Sequence, residues 1–283
     1  MGLCLAMCAS LLFGCGSNSS SGSTSSTTTA EQSSSSTTAA TDSSQTKLEK
    51  ATLNVFIAAS LSNVMKDLAT SYNETQPNVT LQYNADSSGT LQKQIQEGGE
   101  CDMFFSAATD KMDTLESAGL VVSDTRKDLL ENKVVLIKAK GSSTTVTGFE
   151  NITNAANIAL AGEDVPVGKY AREIFTSLGI SDQVMSMEIN ECANVTAVLT
   201  AVAEGSNEVG VVYATDAASM SDKVEVIAEA PEGSMKTAVY PVALIKNDKQ
   251  DSAMKAAAED FLKYLESDDA AKVFEKYGFT IHK

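Results

Sequence analysis

From Lys50 onward, short apolar runs alternate with segments whose hydrophobic residues recur every three or four positions. That alternation admits few folds. The runs 53–58, 79–83 and 103–107 read as strands, bounded by polar and glycine-containing turns. Between them Leu61, Val64, Met65, Leu68 and Tyr72 share one helical face, Leu91 and Ile95 mark a second helix from Thr90, and 111–118 is a third that Gly119 stops. A strand at 134–137 and a polar stretch at 141–147 precede a second series. It comprises a strand at 158–161, a helix over 168–178 ended by Gly179, a strand over 184–189 and a helix over 195–203 closed near Gly205. A strand at 209–213, a short helix at 216–220 and a strand at 224–228 complete it. The run 239–245, interrupted by Pro241, is a further strand, and two helices close the chain. The last is entered at Ser267 with Asp268 and Asp269 in its first turn, where the helix dipole favours acids.

Strand–helix repeats bury their apolar faces by covering both sides of a sheet with helices, so the fold class is α/β. Two such series, joined by apolar crossings near 133–138 and 237–245, imply two βα lobes about a hinge. Residues 50–132 with 238–283 form the first lobe, and 133–237 form the second. A ligand belongs in the cleft between them, at the carboxyl ends of strands and the amino ends of helices.

The sequence marks several such ends. Ala58-Ala59-Ser60, Asp86-Ser87-Ser88-Gly89-Thr90, Val165-Pro166-Val167-Gly168 and Asn194-Val195-Thr196 each put hydroxyls, small residues or free amides where a helix begins, and Val211-Val212-Tyr213 ends a strand with a phenol. Helix amino ends carry unpaired N–H groups and partial positive charge, so several aimed at one point make an anion site. No cluster of Lys, Arg or metal-ligating residues competes with them, and no bare metal cation or cofactor is expected. The formal charge of −16 argues against a nucleic-acid partner, which needs a basic face, but not against a small anion held by local dipoles.

Residues 3–13 form an apolar run too short to span a bilayer. It ends in Leu12-Phe13-Gly14-Cys15, which resembles a bacterial lipobox with Cys15 as the lipidated residue. Residues 1–15 then read as a lipoprotein signal peptide, and the Ser/Thr-rich stretch 16–46 as a flexible tether with too little apolar area to order itself. With Cys4 and Cys8 removed, Cys101 and Cys192 remain, in no zinc or redox spacing, and read as small buried apolar residues rather than a bridge.

The body from 53 to 281 resembles the molybdate-binding proteins of ABC-type uptake systems, within the periplasmic binding-protein group. The pieces that carry the resemblance are Val55-Phe56-Ile57-Ala58-Ala59-Ser60-Leu61, Cys101-Asp102-Met103-Phe104-Phe105-Ser106-Ala107, Val165-Pro166-Val167-Gly168-Lys169-Tyr170-Ala171, Gly210-Val211-Val212-Tyr213, Tyr240-Pro241-Val242-Ala243 and Phe274-Glu275-Lys276-Tyr277-Gly278-Phe279. The resemblance implies a two-lobed type II binding fold. It further implies a site of neutral donors: the side chains of Ser60 and Ser88, the backbone amides of Val167 and Val195, and the hydroxyl of Tyr213. The implied ligand is molybdate, with tungstate, and the implied partner is a membrane permease to which a lipid-anchored monomer on the outer face of the cell membrane delivers it. Two features depart from the family pattern: Asp86 replaces a small neutral residue, and Glu191-Cys192-Ala193-Asn194-Val195 is a looser approach to its helix. Asp86 is expected to be a solvent-facing loop or cap residue. Inside the site it would repel a dianion and accept a proton from hydrogen phosphate.

The competing readings are a receptor for another oxyanion, such as phosphate or sulfate, and more remotely a tethered hydrolase. The chain has no nucleophile elbow and one His, His282, in its tail. Asp102, Asp110 and Asp113 are better explained as strand and helix ends than as a catalytic cluster. Ser60 has the alternative role of a helix cap, and Arg172 that of a surface or helix-pairing residue.

Overall fold

The computed structural model describes residues 47–283. The stretches expected to be signal peptide and tether, Cys15 among them, lie outside the described residues. In chain order the first series is β1 (Ala51–Ala58), α1 (Ser62–Thr75), β2 (Val79–Asp86), α2 (Ser88–Gln96), β3 (Met103–Phe105), α3 (Thr109–Ser117) and β4 (Lys127–Asn132). The second is β5 (Val134–Ala139), β6 (Ile158–Ala161), α4 (Pro166–Ser177), α5 (Ser181–Met185), β7 (Ile189–Cys192), α6 (Val195–Ala203), β8 (Val209–Tyr213), α7 (Ala214–Ser219) and β9 (Val224–Glu229). The chain closes with β10 (Ala238–Leu244), α8 (Ser252–Leu265), α9 (Asp268–Lys276) and β11 (Thr280–Ile281).

These strands make two sheets, ordered β11-β4-β10-β3-β1-β2 and β7-β6-β8-β5-β9. The fold is therefore two-lobed α/β, as expected. One end of each sheet is parallel, with β1 between β2 and β3, and β6 between β7 and β8, so that β2 and β7 are edge strands. Antiparallel strands continue each sheet on the other side, β10 against β3 and β4, and β5 against β8 and β9. The chain passes from one sheet to the other at Asn132–Val134 and returns between Glu229 and Ala238.

Strand periodicity explains how the first sheet is covered. Successive side chains of β1 and β3 point to opposite faces. Val55, Ile57, Met103 and Phe105 accordingly join the larger core with α1, α8 and α9, while Phe56 and Phe104 meet Leu91, Ile95, Met112 and Leu115 of α2 and α3. Pro241 sits inside β10 without costing a ladder bond because the register against β4 shifts between Tyr240 and Pro241, and its carbonyl still accepts from the Ser106 amide at 2.9 Å.

Two elements differ from the sequence reading. The strand expected over 184–189 is instead the short helix α5, with Val184 buried on its inner face, and the strand follows at Ile189–Cys192. A single apolar residue per turn cannot separate a five-residue helix from a strand. β4 had no counterpart in the reading, because Lys127, Asp128, Glu131 and Asn132 hide its one fully buried apolar residue, Leu130.

Candidate functional site

Six chain segments converge on one cavity. The ends of β1, β2 and β8 and the amino ends of α2, α4 and α6 bring Ser60, Ser88, Val167, Val195 and Tyr213 to its wall, together with Ala58, Asp86, Ser87 and Ala107. All five residues expected to meet the anion thus line the same space. The space accessible inside it is about 10 Å³, far below the ~300–1,000 Å³ of pockets for drug-sized ligands. A sugar or a peptide does not fit this arrangement, which leaves room only for a small group. None of the described residues lining it is Lys, Arg or His, and among the described residues no group of His, Cys, Asp or Glu is placed to hold a metal ion.

Local structure sets each group. β1 runs into a single 3-10 turn, Ala59–Leu61, before α1 begins, and the Ser60 side chain caps neither helix. Its Oγ lies 3.0 Å from the Tyr240 hydroxyl instead. The two adjacent serines divide their work: Ser87 Oγ accepts from the Thr90 amide as the cap of α2, while Ser88 Oγ accepts from the Ala107 amide at 2.9 Å. With an acceptor site of Ser88 already used, its hydroxyl proton remains to donate.

In the second lobe, α4 starts with Pro166, whose missing N–H costs nothing there, and leaves the Val167 and Gly168 amides without intrahelical acceptors. Gly168 allows this helix end to press on the end of β6, since a Cβ would stand 2.2 Å from the Gly162 carbonyl oxygen and 2.3 Å from that of Ala161. Arg172, expected at the surface or pairing helices, is mostly covered and donates to the Ala161 and Gly168 carbonyls at 2.8 and 2.9 Å, clamping the same junction. Asn194 caps α6 by accepting from the Ala197 amide at 3.0 Å, which leaves the Val195 amide at the first helical position. Tyr213 ends β8 and heads α7. Its hydroxyl is buried without a hydrogen-bond partner, and burial holds its pKa well above the ordinary phenol value, so it is a neutral donor awaiting an acceptor.

Asp86 is a correction. It is neither a solvent-facing loop residue nor the cap of α2, which is Ser87: it ends β2, lines the cavity, and its Oδ1 accepts from the Ser87 amide at 2.7 Å and from Asn194 Nδ2 at 3.2 Å. The latter bond joins the lobes. So do Lys169 with Asp110, Nζ to Oδ2 at 2.7 Å, and the exposed pair Lys93–Asp164. Gly89 brings α2 onto the Asp164 loop, where an added Cβ would stand 2.2 Å from the Asp164 carbonyl oxygen.

The three carboxylates weighed as a cluster are apart in role. Asp102 is buried and takes the Asn54 amide and the side chains of Asn247 and Gln250 at 2.7–2.8 Å, Asp110 pairs with Lys169, and Asp113 with Arg126. Cys101 and Cys192 are both buried free thiols. His282 pairs with Glu131 on the first sheet's outer strands.

This arrangement has relatives. The family model described as bacterial extracellular solute-binding protein matches residues 53–280. The chain belongs to that family. Within it, a putative ABC transporter substrate-binding lipoprotein of Bacillus subtilis is 38% identical over 84% of this chain and 90% of its own. A protein of Haemophilus influenzae named molybdate-binding protein ModA is 36% identical over 81% of this chain and 90% of its own. A solved structure, titled the substrate-binding domain of a putative molybdenum ABC transporter from Clostridium difficile, is 34% identical, covers 83% of this chain and 100% of that one, and superposes with a TM-score of 0.63. The resemblance read from the sequence motifs holds over the whole solute-binding body.

Proposed function

We propose that this solute-binding protein captures molybdate, and tungstate with it, and passes it to the permease of an ABC transporter. The observation that supports the reading most is the set of five neutral donors converging on a small cavity without a side-chain cation. A tetrahedral dianion offers four oxygens and only acceptors. It gains from the amino ends of α4 and α6 without the desolvation cost of a buried Lys or Arg. The Ser60, Ser88 and Tyr213 hydroxyls and the Val167 and Val195 amides then each donate to an anion oxygen. The relatives named for molybdate, and the 36% identity to one of them, favour this anion over others. Ligand binding stabilises the closed arrangement in which Asn194 meets Asp86 and Lys169 meets Asp110, and the closed form docks on the permease. Anchoring by a lipid on Cys15, with 16–46 as tether, completes the reading and agrees with the lipoprotein name of the Bacillus relative.

A second reading has one specific observation in its favour. Asp86 on the cavity wall is an acceptor, and hydrogen phosphate carries a proton to give it. Calorimetric titration with sodium molybdate tests the first reading: one tight site per chain is expected, and no heat of binding would overturn it.

A further inference from the structure

Two residues outside the cavity wall control how Ser60 can use its proton. Asn132, the last residue of β4 where the chain leaves the first sheet, accepts from the Lys133 amide with Oδ1 at 2.9 Å. A backbone N–H can only donate, so this contact fixes the orientation of the Asn132 amide. Its Nδ2 is then the donor in both remaining contacts, to Thr215 Oγ1 at 2.8 Å and to the Tyr240 hydroxyl at 3.1 Å. Tyr240 is fully buried, and burial keeps its phenol protonated far above neutral pH. Having accepted from Asn132, its oxygen sends its single proton to Ser60 Oγ at 3.0 Å, because the Tyr213 hydroxyl, which also faces Tyr240, is not at hydrogen-bond geometry. Ser60 therefore accepts from Tyr240, and its own proton is left to point elsewhere.

We infer that Tyr240 and Asn132 are positioning residues for anion capture, which polarise a hydrogen-bond chain so that Ser60 must donate into the cavity. The inference rests on the oxyanion reading. It goes beyond that reading in assigning roles to two residues that touch no ligand. The other proton of the Asn132 amide goes to Thr215, two residues beyond Tyr213 on α7, so the network spans the crossing between lobes and ties a donor of the first lobe to the helix that follows a donor of the second. Without the Tyr240 hydroxyl, Ser60 is free to rotate and to spend its proton on water or backbone, and the anion loses a pre-aimed donor.

The test is a double-mutant cycle on the full chain, with affinities measured by calorimetry for Tyr240→Phe, Ser60→Ala and the pair. Wild type is first titrated with molybdate, tungstate, sulfate and phosphate, and the cycle is run with the anion bound most tightly. Tyr240→Phe keeps the ring contacts with Tyr213 and Phe279. It should weaken binding about tenfold, the worth of roughly one hydrogen bond to a charged group, and should have no further effect once Ser60 is Ala. An equal loss in both backgrounds would mean that Tyr240 acts through packing, and no loss in wild type would mean that the chain is idle; either overturns the inference. Asn132→Asp, which draws the Tyr240 proton towards its carboxylate, is the second arm and serves if Tyr240→Phe does not fold. It should weaken binding more in wild type than in Ser60→Ala, and an equal effect in the two again overturns the inference. A wild type that prefers phosphate removes the molybdate reading but leaves this cycle intact; a wild type that binds none of the four removes both.

Discussion

Asn194, at the head of α6, reaches across the cleft to Asp86 at the end of β2, with Nδ2 3.2 Å from Oδ1, and so one of the contacts holding the lobes together sits beside the anion cavity. The same carboxylate that helps close the protein also opposes a dianion. Asp86→Asn separates the two effects, because an amide oxygen can still accept from Asn194 and the Ser87 amide. Molybdate affinity should rise about threefold to tenfold in this variant, as expected for removing a like charge near a partly buried site. Calorimetry measures it, and a fall in affinity would show that the charge itself serves binding.

On the proposed oxyanion reading, Ser60→Ala and Tyr213→Phe each leave one oxygen of the anion short of a donor. Each should weaken molybdate binding by about 1–3 kcal/mol. For Tyr213 the loss belongs mainly to binding, because its hydroxyl makes no well-formed hydrogen bond among the described residues. The Tm of the ligand-free variant should therefore stay within a degree or two of wild type while its affinity falls.

Closure depends on Gly89. An added Cβ would stand 2.2 Å from the Asp164 carbonyl oxygen, a backbone atom of the opposite lobe. Gly89→Val should leave each lobe folded, since the clash lies between them, yet lower affinity at least tenfold. Small-angle scattering of the anion-loaded variant should keep the dimensions of the open form. Contraction on loading equal to that of wild type would refute the prediction.

The Lys93–Asp164 pair at the same rim is a weaker matter. Both side chains are more than half exposed, and exposed ion pairs contribute roughly 0–1 kcal/mol. Lys93→Ala should change molybdate affinity less than threefold, with the difference vanishing in 0.5 M salt.

Asp216 gives a pH dependence. It is buried in the first turn of α7, one oxygen lacks a partner, and burial pushes its pKa to about 7 from 3.8, against an opposing hydrogen bond from the Tyr213 amide. Between those two values the folded state holds a proton that the unfolded state releases, so stability falls as pH rises from about 4 to about 7 and is flat beyond. Asp216→Asn should abolish this slope and raise Tm at pH 8 more than at pH 5. Denaturant unfolding at the two pH values checks it, and parallel shifts would contradict it.

Much of this was legible in the residues. The βα alternation declared the sheets because buried parallel strands read as apolar runs, and the residues that meet at the cavity were visible because strand ends and helix starts carry recognisable caps. What stayed hidden was long-range. β4 carries mainly charged and polar side chains, and its place between β10 and β11 depends on pairing partners more than a hundred residues away. Tyr240 stood within a recognised motif, but that Asn132 orients it, and that it in turn orients Ser60, follows only from contacts over 108 and 180 residues of chain. Asp86 was misplaced for the same reason: local pattern marks it as a cap, and Asn194, which draws it to the cleft, lies 108 residues on.

The central claim is the identity of the anion, and a thermal-shift titration of the protein with molybdate, tungstate, sulfate and phosphate at equal concentration addresses it most directly. A ligand at about 100 times its Kd that binds the folded state alone adds roughly 2.7 kcal/mol of stability. Molybdate and tungstate should raise Tm by several degrees, with sulfate and phosphate without effect. Stabilisation by phosphate and not by molybdate would contradict the account and make Asp86 the residue that receives the ligand's proton.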